Sequence, residues 1–303
     1  MASEAFAKYL ALLRRHPLPT AVDPADMRRR LDRTGGRFPD GVVGQPTRVG
    51  GVSAEWIDPP DSCLECSVLY LHGGGYVAGS IDSHRNLTGH LARALGCRVL
   101  ALDYALAPEN PHPAPVTDSV TAYRWLLDHF EPDRIVVAGD SAGGGLAVAT
   151  LLLARDQGLP MPAAAAVMSP LVDLHAVGPS MQTRAGVDPL LSRRLVLENV
   201  ALFIGDGDRF DPYAAPLHAD LAGLPPLFIQ VGDAEVLLDD AVRLAEKAEA
   251  AGVPTTLQVW PEMVHVFQAS AGYFPEADLA VEYAAAFCRL HFGLSDRAVP
   301  NGG

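Results

Sequence analysis

The stretch RIVVAGDSAGGGLAVATLLLA, residues 134–154, decides the fold of this chain. Its first residues form a near-continuous apolar run, which is typical of a buried strand, and its last residues are the alanines and leucines of a helix. Between them lies GDSAG, residues 139–143, a G-x-S-x-G pattern. A serine at such a strand-to-helix turn is held in a strained backbone conformation with its hydroxyl exposed, so the pattern predicts that Ser141 is a nucleophile.

Two features of this turn support that interpretation. The residues two positions before and after the serine must lack side chains to avoid collision, and Gly139 and Gly143 meet that need. The helix that begins after Ser141 also directs backbone N–H groups and the positive end of its dipole toward the site. A phosphate-binding loop is disfavoured, because a dinucleotide fingerprint would need glycine at position 141 and no G-x-x-x-x-G-K-[ST] pattern occurs.

The rest of the chain repeats the alternation of strand and helix. Apolar runs predict strands at residues 67–72, 98–104, 134–139, 164–169, 226–232 and 255–260. Helical patterns lie between and after them, at residues 84–95, 116–129, 142–157, 239–251 and 276–291. Strands that are apolar throughout are buried on both faces, and their alternation with helices indicates a mostly parallel, doubly wound α/β sheet.

Two stretches, residues 1–45 and 176–215, break this alternation. We expect both to lie over the ends of the strands as a helical cap. The predicted organisation is therefore N-terminal cap helices in residues 1–45, followed by a catalytic domain in residues 46–303 that contains the insertion at about 176–215.

The N-terminal stretch itself predicts a helix that docks on the rest of the protein. Phe6, Leu10 and Leu13 stand at helical spacing with charged residues between them. Residues 35–60 are rich in proline and glycine, and the tail, residues 296–303, is expected to be frayed.

The composition is that of a globular protein with material for a large core. Of 303 residues, 49% are hydrophobic and 19% are charged. The formal net charge of −13 argues against binding to a nucleic-acid backbone, so no nucleic-acid partner is expected. The sequence contains one local basic cluster, which we interpret as a solvated helix face: Arg28, Arg29, Arg30 and Arg33.

The sequence also indicates the cellular compartment and the state of the cysteines. No apolar run of about 18 residues occurs, so we expect no membrane span, and the charged start is unlike a secretion signal. We therefore expect a cytoplasmic protein with reduced cysteines, compatible with a homodimer. Cys63 and Cys66 form a C-x-x-C pair, but the pair lies just before a predicted strand and no second pair completes a metal set. A redox or zinc role for this pair is therefore disfavoured.

A glycine-rich tetrad provides candidates for stabilising a negative charge. His72-Gly73-Gly74-Gly75 directly follows a predicted strand, and consecutive glycines let backbone N–H groups approach a ligand closely. With Ser141 as the nucleophile, the N–H groups of Gly74, Gly75 and Ala142 are predicted to form the oxyanion hole. The alternative is a plain flexible turn, but this tetrad upstream of G-x-S-x-G is a specific combination.

A nucleophilic serine needs a base, which comes last in the chain order Ser, acid, His. Of the three late histidines, His291 lies within the final helical pattern and His218 lies in a loop before a strand. His265 follows the last strand, where a side chain can reach over the carboxyl edge of the sheet, so we predict that it is the base.

The carboxylate that orients the base is not decided by this reasoning. The segment VGDAEVLLDD contains Asp233, Glu235, Asp239 and Asp240, and any of them could hold an imidazole. Asp239 and Asp240 stand in the first turn of a predicted helix, where the helix dipole explains them without catalysis. Asp233 and Glu235 remain open on these grounds.

Five sequence blocks in this order resemble the hormone-sensitive-lipase-like carboxylesterases of the α/β-hydrolase fold. The likeness covers residues 65–270, most of the chain. The blocks that carry it are HGGG at 72–75, DYALAPENPHPAP at 103–115, GDSAGG at 139–144, SPLVDL at 169–174 and MVHVF at 263–267.

The resemblance implies an α/β-hydrolase fold and favours Glu235 as the acid. That family carries its acid in a D-x-L block about thirty residues before the histidine, and Glu235 stands thirty residues before His265. A glutamate in place of the usual aspartate is permitted in this fold. Ala105 is a second difference, since the family often has arginine there. We interpret its block, including Asp103 and Glu109, as structural support.

These predictions amount to a serine carboxylesterase that hydrolyses short- to medium-chain esters through an acyl-enzyme, with no cofactor or metal. Its expected partner is a small-molecule ester or lactone. A lactone hydrolase with the same triad is the alternative within enzymes, and a receptor of the same fold without hydrolysis is the alternative outside them. A histidine base also predicts activity that falls as the pH drops through about 6 to 7.

Overall fold

The computed structural model describes residues 2–16 and 21–294. The predicted frayed tail, residues 296–303, lies outside the described residues. Within them, eight strands form one sheet: β1 Val43–Val49, β2 Val52–Asp58, β3 Cys63–Leu71, β4 Cys97–Asp103, β5 Ile135–Asp140, β6 Ala164–Met168, β7 Leu227–Gly232 and β8 Thr255–Trp260. The spatial order is β1-β2-β4-β3-β5-β6-β7-β8.

The sheet is parallel from β4 to β8 and antiparallel at one edge. β1 pairs antiparallel with β2, and β2 pairs antiparallel with β4, whereas every later neighbouring pair is parallel. The six strands predicted from apolar runs all occur, each within a few residues of its expected bounds. The predicted mostly parallel α/β sheet is therefore confirmed.

The strands β1 and β2 were not predicted. They form a hairpin within the Pro/Gly-rich stretch at 35–60. Its turn is Gly50–Gly51, and both glycines have positive φ angles, 56° and 91°. A two-residue hairpin turn whose twist matches that of its strands has positive φ at both central residues. The composition hid the strand pattern, although Ala54 and Ile57 of β2 are buried in the core.

Nine helices occur among the described residues, and five of them match the predicted ones to within about two residues. The nine are α1 Glu4–Leu13, α2 Pro24–Thr34, α3 Arg85–Leu95, α4 Ala114–Leu127, α5 Ala142–Asp156, α6 Ser180–Thr183, α7 Arg193–Ile204, α8 Leu238–Ala250 and α9 Pro275–His291. None of the helices in residues 2–16 and 21–294 is both long enough and apolar enough to cross a bilayer.

Helices cover both faces of the sheet, and the alternation of side chains along each strand explains why. In β3, Leu69 and Leu71 belong to the core under α4, α5 and α8, while Val68 and Tyr70 belong to the core under α3 and α9. Successive side chains of a strand point to opposite faces, so a strand covered on both sides must be apolar throughout.

Helix α1 docks on the loop that follows β8, as its apolar spacing predicts. Phe6 is fully buried in a small cluster with Met263, Val264, Phe267 and Phe274, and Leu10 and Leu13 pack against the same cluster. Ser3 caps the helix by accepting from the N–H of Phe6, and donates its hydroxyl to Glu276 at 2.8 Å. The N-terminal segment therefore covers the loop that carries His265.

The prediction that the basic cluster of α2 is a solvated face is wrong for Arg28. Its guanidinium donates to the backbone oxygens of Val77 at 2.8 Å and Ala107 at 2.9 Å, and it pairs with Glu109 at 2.7 Å. Arg30 remains largely exposed, in keeping with the prediction. Charge periodicity alone could not separate the two, because the acceptors for Arg28 come from segments far along the chain.

Candidate active site

Ser141 lies at the turn between β5 and α5, near the middle of the sheet's carboxyl edge. Its φ and ψ are 54° and −123°, a conformation that costs free energy in any residue with a side chain. The N–H of Ser141 donates to Met168 at 2.8 Å and its carbonyl accepts from Leu171 at 2.9 Å, so the next strand holds the strained residue in place.

The flanking glycines have no room for side chains. A Cβ on Gly139 would lie 2.3 Å from the carbonyl oxygen of Gly143, and a Cβ on Gly143 would lie 2.0 Å from the carbonyl oxygen of Leu71. Real Cβ atoms do not approach backbone this closely, which is the steric reason for both glycines in the motif.

The hydroxyl of Ser141 lies against the imidazole of His265. The distance from Ser141 Oγ to His265 Nε2 is 2.9 Å, and the other ring nitrogen, Nδ1, lies 2.5 Å from Oε2 of Glu235. All three side chains are buried or nearly so, with exposed fractions of 9%, 8% and 0% respectively. The structure thus brings together three of the residues that the sequence singled out.

Glu235 is held in place by hydrogen bonds to Oε1, the oxygen that does not contact His265. Oε1 accepts from the N–H of Gly232 at 2.8 Å and from the hydroxyl of Ser169 at 2.7 Å, which leaves Oε2 facing His265. The hydroxyl of Ser169 also accepts from the N–H of Val266 at 3.1 Å. The loops after β6, β7 and β8 are therefore fastened to one carboxylate.

The three other carboxylates that the sequence left open make different contacts. Asp233 accepts from the N–H of Glu262 at 2.7 Å, and Asp239 accepts from the N–H of Ser180 at 2.5 Å. Asp240 accepts from two backbone N–H groups in the loop after β6. Asp239 and Asp240 do lie in the first turn of α8, as expected, but they brace neighbouring segments as well as facing the helix dipole.

The environment of His265 sets its proton affinity. Burial by itself lowers the pKa of His265, but the negative charge of Glu235 and its hydrogen bond, with smaller effects of Asp188 and Asp140, outweigh burial and raise the pKa above its ordinary value. Of the two other late histidines, His218 lies in a short turn and His291 ends α9. Among the described residues, the imidazole that contacts Ser141 Oγ is that of His265.

The glycine tetrad lies beside Ser141. The φ angles of Gly74 and Gly75 are 120° and 66°, and a Cβ on Gly74 would lie 2.1 Å from the carbonyl oxygen of Ala78. Among the described residues, the N–H groups of Gly74, Gly75 and Ala142 donate to no protein acceptor. They are therefore available to a negatively charged oxygen on a bound molecule.

Comparisons with known proteins agree with this geometry. Residues 68–269 match the family model described as the alpha/beta hydrolase fold. An acetyl-hydrolase of Streptomyces hygroscopicus is 46% identical over 251 residues, covering 82% of this chain and 84% of the relative. An esterase of Acinetobacter venetianus is 35% identical over 277 residues, covering 90% and 91%.

Solved structures give the same result. The crystal structure of EstE5 is 43% identical, covers 96% of this chain and 100% of its own, and superposes with a TM-score of 0.94. An esterase from the bacterial hormone-sensitive lipase family is 44% identical, covers 97% and 100%, and superposes with a TM-score of 0.93. This chain belongs to the hormone-sensitive-lipase-like esterases of the α/β-hydrolase fold. It is a carboxylic ester hydrolase.

Behind the glycine tetrad, the esterase has a buried polar network that the sequence did not reveal. Oδ1 of Asp140 accepts from the hydroxyl of Tyr70 at 2.8 Å and from the N–H of Gly73 at 3.1 Å, and His84 lies 3.3 Å away. Burial alone would raise the pKa of Asp140, but His84 and Tyr70 outweigh it and hold the pKa below its ordinary value. The charged Asp140 thereby positions the strand end that leads into Gly74.

The insertion of the esterase contacts the same strand ends. Oδ2 of Asp188 accepts from the N–H of Val236, next to Glu235, at 2.9 Å, and Arg184 donates to the carbonyl of Asp233 at 2.6 Å. Asp188 and Ser169 are thus two supporting residues that the sequence analysis missed. For Ser169 a signal existed, because it directly follows a buried strand at the carboxyl edge.

The cysteines of the esterase are arranged differently from the prediction. All four are free thiols, but Cys63 and Cys66 lie within β3 rather than before it, and Cys97 at the start of β4 completes a cluster whose sulfurs lie within 4.8 Å of one another. A hydrogen bond with Cys97 and the nearby Arg134 guanidinium outweigh burial and lower the pKa of Cys66 to about 6. This cluster lies at the amino ends of the strands, away from Ser141.

Proposed function

We propose that the chain is a serine carboxylesterase that hydrolyses short- to medium-chain esters through an acyl-enzyme, with Ser141, His265 and Glu235 as its triad. The observation that carries the proposal is the continuous line of contacts from Ser141 Oγ to His265 Nε2, at 2.9 Å, and from His265 Nδ1 to Glu235. A nucleophile, a base and an orienting carboxylate in this arrangement are what acyl transfer requires.

In the first half of the reaction, Ser141 Oγ forms a bond to the carbonyl carbon of the ester while its proton passes to His265 Nε2. The carbonyl oxygen becomes an oxyanion, which accepts from the N–H groups of Gly74, Gly75 and Ala142. The carbon–oxygen bond to the alcohol then breaks, and His265 gives the proton to the departing oxygen.

The second half repeats these steps with water. His265 takes a proton from the water molecule as its oxygen attacks the acyl carbon. The same N–H groups stabilise the second oxyanion, and the proton returns to Ser141 as the carboxylic acid leaves. Glu235 stays ionised throughout, holding the imidazole in one orientation and stabilising its charged form.

The preference for short acyl groups rests on similarity. The relative from Streptomyces hygroscopicus is an acetyl-hydrolase, and EstE5, whose crystals have been soaked with p-nitrophenyl butyrate, is 43% identical to this chain with a TM-score of 0.94. We infer that acetyl and butyryl esters are within the range of this enzyme.

The cap is part of the proposal. We infer that α1 and α2 in residues 1–45, together with α6 and α7 in residues 176–215, cover the site and shape the substrate pocket. In support, a Cβ on Gly75 would lie 2.4 Å from Asn199 of α7, and Phe203 of α7 stacks on Tyr76 with ring centroids 3.7 Å apart. The insertion thus borders the glycine tetrad directly.

The test is hydrolysis of p-nitrophenyl acetate and butyrate by the wild type and by Ser141→Ala. The variant should lose at least roughly a thousandfold in kcat/KM, because the nucleophile is gone and only binding and the oxyanion donors remain. A variant that keeps a large share of the rate would overturn the assignment. Side-by-side turnover of lactones separates the lactonase alternative, and tight binding without turnover would indicate a receptor.

A further inference from the structure

A second group of chemically reactive side chains is distinct from Ser141, His265 and Glu235. Asp173 and His175 follow β6, and His218 comes from the turn that follows α7. From Oδ1 of Asp173, Nδ1 of His175 is 3.5 Å away and Nε2 of His218 is 3.8 Å away. The three atoms, all within 4.8 Å of one another, come from two segments more than forty residues apart in the chain.

These separations are close to those between the ligands of one metal ion. Zinc binds imidazole nitrogen and carboxylate oxygen at about 2.0–2.2 Å, so neighbouring ligands of a tetrahedral ion are separated by roughly 3.3 Å. The observed 3.5 and 3.8 Å exceed this by less than 1 Å. Small rotations of the two imidazoles, which are 26% and 28% exposed, would close the difference.

The donor atoms are available to an ion. Nδ1 of His175 is buried and has no hydrogen-bond partner among the described residues. Oδ1 of Asp173 accepts from the backbone N–H of His175 at 2.9 Å, and a carboxylate oxygen has a further lone pair. A buried ring nitrogen without a partner is costly, and a metal ion is one group that would satisfy it.

The surroundings fix the ligands in position. Arg243 donates to the other oxygen of Asp173, Oδ2, at 2.7 Å, and Asp240 accepts from the backbone N–H of Asp173 at 3.0 Å. The ring of Phe210 lies 4.2 Å from that of His175 and 4.9 Å from that of His218. These contacts occupy Oδ2 and the backbone of Asp173 and leave its Oδ1 facing the two imidazoles.

We propose that Asp173, His175 and His218 bind one divalent transition-metal ion, with Zn²⁺ as the preferred ion and water completing its shell. Two imidazoles and one carboxylate are ligands that suit zinc and cobalt, whereas magnesium and calcium prefer oxygen ligands alone. The ion joins the end of the loop just before the 176–215 insertion to the turn just after it. Bound metal therefore holds the two ends of the insertion together, through side chains that are not part of the proposed triad.

The experiment uses the full chain, purified with a chelator and then freed of it. Titration with CoCl₂ should give visible absorption bands of a Co²⁺ ion with nitrogen and oxygen ligands, saturating at one ion per chain, and ZnCl₂ should abolish them by competition. Zn²⁺ should also raise the Tm, because a ligand that binds only the folded state stabilises it.

Single substitutions assign the ligands. His175→Ala and His218→Ala should each weaken the affinity for Co²⁺ at least about tenfold, since each removes a direct ligand, while circular dichroism without metal stays as in the wild type. His129→Ala is the matched control, because that imidazole contacts the carbonyl of Trp125 in α4 and lies outside the cluster. His265→Ala tests for an ion at the catalytic histidine, and should retain the Co²⁺ bands.

Three outcomes would overturn the proposal. The first is the absence of Co²⁺ bands and of a Tm shift in the wild type. The second is unchanged affinity in both His175→Ala and His218→Ala. The third is loss of the bands in His265→Ala alone, which would place the ion at the triad.

Discussion

The hydroxyl of Ser169 donates to Oε1 of Glu235 at 2.7 Å, on the side of the carboxylate that faces away from His265. Ser169 is fully buried and has a positive φ of 47°. The same hydroxyl accepts from the N–H of Val266, the residue after the histidine. One serine outside the proposed triad thus ties the acid to the loop that carries the base.

Ser169→Ala should therefore slow catalysis more than it weakens binding. Without the hydroxyl, Glu235 loses one of two donors on Oε1 and its orientation toward His265 loosens. We expect kcat to fall about tenfold to a hundredfold, with KM nearly unchanged, as for other residues that orient a catalytic group. Steady-state kinetics with p-nitrophenyl butyrate measure both parameters.

Ser119→Ala is the control for this substitution. Ser119 is equally buried, but its hydroxyl bonds the carbonyl of Pro115 within α4 at 2.8 Å. Equal losses of kcat in the two variants would mean that the effect is general destabilisation, not positioning of Glu235.

Glu235→Gln should cost far more activity than a change at the neighbouring Asp233. The amide keeps the size of the side chain but removes the charge that stabilises the protonated imidazole, and kcat should fall by up to about 10⁴-fold. Asp233→Asn keeps an acceptor for the N–H of Glu262, so its rate should change little. If the larger loss fell on Asp233, Asp239→Asn or Asp240→Asn, the assignment of the acid would be wrong.

The raised pKa of His265 predicts how activity depends on pH. When the pH falls below that pKa, His265 gains a proton and can no longer accept one from Ser141. Because Glu235 raises the pKa above the ordinary value of about 6.5, the half-maximal point of kcat/KM should lie above pH 6.5. A profile that stays flat down to pH 5 would contradict a histidine base.

The pH profile of Glu235→Gln tests whether Glu235 is the cause of the raised pKa of His265. Without the negative charge of Glu235, only the smaller effects of Asp188 and Asp140 oppose burial, so the pKa of His265 falls and the residual activity should reach half-maximum at a lower pH than in the wild type. Circular dichroism at each pH separates this shift from acid unfolding.

The packing around the turn at Ser141 predicts that Gly143→Ala distorts this turn and lowers activity. The new methyl group would lie 2.0 Å from the carbonyl oxygen of Leu71 and 2.4 Å from that of His72, so α5 or β3 would have to move. We expect a loss of activity of at least about a hundredfold and a lower Tm. Gly186→Ala, where no atom lies within 4 Å of the new methyl group, should match the wild type in both measurements.

Much of this protein follows from local sequence. The six parallel-sheet strands and five of the helices could be predicted because a strand buried on both faces must be apolar throughout, and a covering helix shows its own periodicity. The strained turn at Ser141 could be predicted for a similar reason, since it needs Gly139 and Gly143, which lie only four positions apart in the chain. The order of the motifs led to His265.

The tertiary structure decided what depends on contacts between distant segments. Four carboxylates within eight residues are equivalent as sequence, and only the path of the chain after β7 places Glu235 against His265 while Asp240 turns to the loop after β6. The β1–β2 hairpin was hidden because composition records glycine and proline but not their pairing partners. The approach of His218 to Asp173 was equally invisible, because coordination and hydrogen bonding depend on distances in space, which sequence separation does not encode.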